Sequence, residues 1–178
     1  DQVKVWNPAT AFHRAFQVRD RIFIRERERG LMELVDDELR LVAGGARFAE
    51  ERVDAMLPFG DDGVLIGSRN SGLFVLDAAG LRPQPTSIDA ELDGDMLYSG
   101  ALLGDGRIAL GTIQGGVHFL GADGQARGRI DKPLGLQDDT VYAMFVDRQG
   151  GLWLGLDRGL SRVDAHVSSR GRGARVQL

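Results

Sequence analysis

Residues 136–164 read LQDDTVYAMFVDRQGGLWLGLDRGLSRVD, and this stretch decides the fold. It divides into three apolar runs parted by tight polar turns. TVYAMFVD (140–147) is the first run, LWLGL (152–156) the second and LSRVD (160–164) the third. The turns RQGG (148–151) and DRG (157–159) carry glycines, which reach positive φ without a Cβ penalty. In the first run Val141, Ala143 and Phe145 share one face, and Tyr142, Met144 and Val146 share the other. Both faces are apolar, whereas an antiparallel sheet with one wet side alternates apolar with polar. The small sheet is therefore expected to be covered on both faces.

The same unit recurs upstream. RIFIRERERGLMEL starts at Arg21, VLIGSRNSGLFVL at Val64 and RIALGTIQGGVHFL at Arg107. The marker glycines Gly30, Gly72, Gly116 and Gly159 lie 42, 44 and 43 residues apart. A fixed period in that range is the mark of a repeat architecture. Four-stranded sheets stacked face to face at this period describe propeller blades. A β-helix coil needs a much shorter repeat, and a helical solenoid would show apolar residues at 3.6 spacing. The segment around Glu26–Glu38 is rich in helix-favouring Glu and Arg. Gly30 in mid-run and the register with the other copies predict strand there instead. The expected fold is all-β, one propeller segment over 1–178 of about four four-stranded antiparallel blades, at approximately 12–50, 51–93, 94–136 and 137–178.

The last blade shows three clear runs and no obvious fourth. VKVW (3–6) could supply that strand from the other end and close a four-bladed ring. RVQL (175–178) could supply it locally, or further blades could lie outside this chain. The reading favours an excerpt of a larger ring, with an apolar blade face open at each end and a tendency to self-associate. SSRGRGARVQL (168–178) reads as a frayed end or the remains of the next strand, since three arginines are too few for a nucleic-acid tail.

Composition bounds the function. The 178 residues suffice for one domain with a sizeable core, and 43% apolar with 27% charged residues is a globular balance. The formal net charge is −4, against the strong basic excess of a general nucleic-acid binder. No cysteine is present, so neither a disulfide framework nor a thiolate metal site is available. No run approaches the ~18 apolar residues of a membrane span, and DQVKVWNPAT (1–10) has no signal-peptide pattern. The missing initiator Met suggests a piece of something longer.

Chemistry-bearing motifs are weak. No glycine-rich loop runs into Lys-Ser or Lys-Thr, so no nucleotide P-loop is present. The stretch DAELDGD (89–95) resembles the start of a calcium loop, but its twelfth position is Gly100 where a bidentate Glu is needed. A solvated turn between blades is expected there. His13, His118 and His166 have no metal-ligand spacing, and Ser161, Asp164 and His166 crowd one strand end, unsuited to a triad. No cofactor, metal site or catalytic residue is predicted. Gly67, Gly111 and Gly155 read as close-packing or bulge positions, and Trp153 as a wedge between twisted sheets, with sugar stacking as the minor alternative.

Residues 136–164 closely resemble the two-component regulator propeller repeat. The matching positions are Leu136, Val141, Asp147, Gly151, Trp153, Gly155, Gly159, Leu160 and Asp164. The other copies are looser: Leu65 and Ala109 stand where the last has Trp153, and Arg25 stands where the others have glycine. The resemblance spans about 12–164. It implies a non-catalytic sensory module in the extracytoplasmic, periplasmic part of a bacterial receptor, usually one with a histidine kinase output. It also implies an extracellular ligand, often glycan-related, and a ring of about seven blades. A protein-interaction scaffold is the alternative, and a glycan-active propeller enzyme is a third.

In a propeller, the loops joining successive blades share a rim with the turns between second and third strands. Here the first set offers Glu50, Glu51, Arg52, Asp93, Asp95, Asp138 and Asp139. The second offers Arg27, Arg29, Arg69, Gln114, Asp157 and Arg158. Ligand binding is expected on this mixed-charge rim, at Arg52, Arg69, Asp95, Asp138, Asp139 and Arg158.

Overall fold

The computed structural model describes residues 3–164 and 176–177. Among these, sixteen strands form four antiparallel sheets, each an up-and-down meander in sequence order. Blade 1 holds β1 (Phe12–Val18), β2 (Arg21–Glu26), β3 (Gly30–Val35) and β4 (Glu38–Leu41). Blade 2 holds β5 (Val53–Phe59), β6 (Gly63–Ser68), β7 (Leu73–Asp77) and β8 (Gly80–Pro83). Blade 3 holds β9 (Leu97–Leu102), β10 (Ile108–Thr112), β11 (Val117–Leu120) and β12 (Ala126–Ile130). Blade 4 holds β13 (Val141–Val146), β14 (Gly151–Leu156), β15 (Gly159–Asp164) and β16 (Val176–Gln177).

The first strand of each blade is innermost, and β1, β5, β9 and β13 pack side by side in that order. Both blade faces are used, as the two-sided apolar pattern predicts. Phe23 and Leu31 of blade 1 pack on Val64, Ile66 and Phe74 of blade 2. Leu65, Leu73 and Val75, on the opposite face of blade 2, meet Leu97, Ile108 and Leu110 of blade 3. Ala109, Val117 and Phe119 of blade 3 meet Leu152, Leu154 and Val163 of blade 4. Each blade thus removes its neighbour's apolar face from water, the main force holding the stack.

All four marker glycines take positive φ, at 115°, 75°, 71° and 102° for Gly30, Gly72, Gly116 and Gly159. The repeat fixes its turn into the third strand at this residue. The Glu- and Arg-rich segment after Arg25 is strand, as expected. Burial of Leu31 and Met32 at 0% exposure outweighs the helical leaning of its charged residues.

One expectation is corrected. The connection from blade 2 to blade 3 is not a solvated turn but a short helix, α1 (Asp89–Asp95). Ile88 and Leu92, four apart, bury in the core between those blades and fold the segment over. Its carboxylates go to separate partners, Asp89 to Thr86 and Asp95 to His118. Of the alternatives for the fourth strand of the last blade, the C-terminal one is found: β16 pairs Arg162 with Gln177 and Val163 with Val176. Residues 3–6 therefore do not close a four-bladed ring. They form no strand and are held on blade 1, where Trp6 Nε1 donates to Asp37 O at 2.9 Å. His166 and most of 168–178 lie outside the described residues.

The stack ends in two open faces. Blade 1 leaves Ile22 41% and Leu41 48% exposed, and blade 4 leaves Phe145 58% and Leu160 57% exposed. Phe145 and Leu160 share the face of Trp153, which corresponds to the face that blade 2 buries through Leu65 and Leu73. No helix among the described residues is long and apolar enough to cross a membrane.

Candidate ligand-binding mouth

The inner strands share an irregularity that builds a site. In β5, β9 and β13 the pairing skips one residue next to the strand's start, leaving Asp54, Tyr98 and Tyr142 unpaired. In β1, His13 and Arg14 together oppose Arg25. A bulge bends the strand and re-aims the extra side chain. Repeated around the axis, it sets His13, Arg14, Asp54, Tyr98 and Tyr142 at one end of the channel between the inner strands.

These side chains form a connected polar cluster. Asp54 is 2% exposed and accepts from Arg69 Nε at 2.8 Å. Arg69 sits in the turn between β6 and β7, so the rim and the inner strand meet in this pair. Arg14 Nη1 donates to Asp54 O at 2.7 Å and to Tyr98 O at 3.0 Å, bracing blade 1 against two neighbours. The Arg14 and Arg69 guanidiniums lie 5.0 and 4.8 Å from the Tyr98 ring centroid, within cation–π range. Tyr98 meets Tyr142 edge-to-face at 5.5 Å. Tyr142 Oη donates to Asp157 Oδ1 at 3.2 Å, and this bond and charge raise the phenol pKa.

One part of the cluster is unsatisfied. Asp54 Oδ1 and Arg69 Nη2 are both buried without a hydrogen-bond partner among the described residues. Arg14 Nη1 stands 3.7 Å from Oδ1, close enough for charge attraction but not for a hydrogen bond. A guanidinium and carboxylate usually pair through two teeth, and this pair uses one. Beside it, Arg14, Phe16, Ser99, Tyr142 and Met144 line a cavity of about 280 Å³ with contributions from all four inner strands.

The structure places the rim residues unevenly. Arg69 is at the heart of the cluster. Arg52 is at its edge, where its Nε donates to His13 Nε2 at 3.1 Å. Arg158 is exposed in the β14–β15 turn near Asp138. Asp138 accepts from Thr140 N at 3.0 Å, and that bond holds its carboxyl below the usual range. Asp139 is occupied with Lys132 N at 2.7 Å, while its backbone O accepts from Gly116 N, tying two loops together. Asp95 turns to the outer strands, pairing with His118 at 2.9 Å and standing 3.7 Å from Arg129. The sequence reading missed Arg14, Asp54, Tyr98 and Tyr142. Their signal is positional, since Asp54, Tyr98 and Tyr142 recur 44 residues apart.

The repeat motif of the last blade also has a geometry. Asp147 Oδ1 accepts from Gln149 N and Gly151 N, both at 2.9 Å. Its Oδ2 accepts from Trp153 Nε1 at 2.8 Å and Arg162 Nε at 3.1 Å. The carboxylate closes the hairpin and fixes the Trp153 ring, which stacks parallel to Phe145. Residues 135–158 match the family model described as two component regulator propeller. The chain carries a two-component regulator propeller repeat.

The chain also has structural likenesses over nearly its whole length. It superposes on the extracellular domain of a putative hybrid two component system from B. thetaiotaomicron with a TM-score of 0.77 and 18% identity. That match covers 98% of this chain and 24% of the other, so the chain spans about a quarter of that domain. It also resembles virginiamycin B lyase from Staphylococcus aureus, with a TM-score of 0.68 and 9% identity, over 97% of this chain and 56% of the lyase. At these identities the likeness is one of fold. No curated protein matches the chain by sequence.

Proposed function

We propose that the chain is a non-catalytic ligand-recognition segment of a bacterial two-component receptor, placed outside the cytoplasm, with the mouth of the inner channel as its binding site. The observation that carries this reading is the Arg69–Asp54 pair, which keeps one donor and one acceptor unused beside the Tyr98–Tyr142 wall. A group with a donor and an acceptor side by side, such as the vicinal hydroxyls of a sugar, would engage both. The exposed Tyr142 ring would cover its apolar face. The repeat match and the likeness to an extracellular sensor domain support the signalling context.

The test is calorimetric titration with a panel of soluble oligosaccharides. Arg69→Ala is unsuitable, because an unpaired Asp54 would cost about 3 kcal/mol of stability. Tyr142→Ala and the paired change Asp54→Asn with Arg69→Gln leave no buried charge unpaired. Saturable binding weakened at least tenfold in both variants is expected. Binding that survives both changes at wild-type strength would refute the site. The exposed end faces favour a second reading, an interaction scaffold, which predicts capture of a protein partner and no oligosaccharide binding.

A further inference from the structure

Arg25 holds a position that is glycine in the other three blades. The strand register establishes the equivalence. Gly67 pairs with Leu73, Gly111 with Val117 and Gly155 with Leu160, each one residue past the marker glycine. Arg25 pairs with Leu31, one past Gly30. In blades 2 and 3 the next blade closes over this glycine. A Cβ there would meet Leu97 Cδ2 at 2.9 Å and Val141 Cγ1 at 2.9 Å. In blade 1 a long cationic side chain occupies the space instead.

Arg25 is 6% exposed. Its Nε donates to Phe48 O at 3.0 Å and its Nη2 to Ala49 O, the carbonyls that end the short 3-10 helix leading into blade 2. Nη1 has no partner among the described residues. Burial lowers the Arg25 pKa, and the nearby charges of Arg52 and Arg27 act in the same direction, partly opposed by Glu50. Beside Arg25 lies a cleft of about 430 Å³ lined by Phe12, His13, Arg25, Arg27, Glu50 and Arg52.

The cleft's own lining thus holds three guanidiniums and one carboxylate in a protein whose net charge is −4, while Arg27 also stands 3.8 Å from Glu28 Oε1 and Glu51 acts on Arg25 from nearby. Arg52 donates to His13 Nε2, so the proton of the neutral ring is on Nδ1, which is buried without a partner among the described residues. Burial, then the charge of Arg52, lowers the His13 pKa, and the ring adds no charge of its own at neutral pH. Guanidinium forks match carboxylate and sulfate oxygens in geometry as well as charge.

We propose that the cleft between blades 1 and 2, where Arg25 replaces the repeat glycine, binds the oxyanion group, a carboxylate or a sulfate, of a small ligand. The cleft adjoins the mouth through His13 and Arg52, but the proposal does not rest on the function proposed there. The chain is titrated with sodium acetate and with sodium sulfate in NMR experiments at constant ionic strength, with chloride as the control. Saturable shifts at His13, Arg25 and Arg52 with either oxyanion are expected, and the two arms separate a planar from a tetrahedral group. Arg25→Gly, which restores the repeat residue, should weaken binding at least tenfold. Glu50→Gln, an exposed change that removes the opposing carboxylate, should tighten it several-fold. Shifts no larger than those with chloride, or equal affinities in wild type and Arg25→Gly, would overturn the proposal. Should Arg25→Gly not fold, an affinity unaltered by Glu50→Gln overturns it alone.

Discussion

Asp147 shows how much one carboxylate can organise. Four donors from the β13–β14 turn, Trp153 and Arg162 converge on it, and its pKa falls to about 2, chiefly through the Trp153 and Gly151 hydrogen bonds. An unfolded aspartate titrates near ~3.9. The folded pKa is the lower one, so the stability it contributes is present above the unfolded value and is lost as pH falls towards about 2. Asp147→Asn should therefore lower stability at neutral pH and flatten its dependence between about pH 4 and pH 2. Acid titration followed by tryptophan emission checks this; an acid limb as steep in the variant as in wild type would show that Asp147 contributes nothing. Asp147 and Trp153 were legible in the sequence because they lie in the best-preserved copy. Arg14 and Asp54 were not, because their roles depend on contacts between blades.

At the scale of the element, the repeat glycines are not equivalent. Gly67 and Gly111 lie under the next blade, where a methyl would meet Leu97 and Val141 at 2.9 Å. Gly155 lies on the open face, where the nearest atom to an added Cβ is Ala143 Cβ at 3.6 Å. None of the three has positive φ. Gly67→Ala and Gly111→Ala should each cost about 1–3 kcal/mol by overpacking. Gly155→Ala should be neutral or stabilising by about 0.5 kcal/mol through the unfolded state. Urea denaturation decides, and equal losses at all three positions would contradict the assignment of faces. The strands themselves were readable from turn glycines and apolar runs. Two features were not. Helix α1 depends on Ile88 and Leu92 finding a core between two blades. The inner-strand bulges do not show in a run that is apolar on both sides, yet the extra residue moves Val141 to the face of Leu154 and Leu156, away from Ala143 and Phe145 with which strict alternation groups it.

The whole molecule is a stack with two unpartnered ends. Trp153 and Leu160 occupy on blade 4 the places of Leu65 and Leu73, which are buried in blade 2, and Phe145 that of half-buried Leu57, while Ile22 and Leu41 are open on blade 1. These ends differ, so contact between them is head-to-tail and does not stop at a two-fold dimer. Concentration-dependent association by sedimentation velocity is expected for the chain, and Phe145→Glu with Leu160→Glu should reduce it. A monomer at all concentrations would mean that the end faces are too small to drive contact. The period alone gave blade number and order. The mouth was only half legible at this scale: the rim turns were predicted, and Arg69 is there. The inner strands that complete the site become visible only when four blades are set around one axis.

The central proposal to test is that the protein meets its ligand at that axial mouth. The most direct measurement is NMR shift mapping with an oligosaccharide that binds in calorimetry. The prediction is that the largest changes fall on Arg14, Asp54, Arg69, Tyr98 and Tyr142. Changes confined to the outer strands β4, β8 and β12, or to the open face of blade 4 around Phe145, would contradict it.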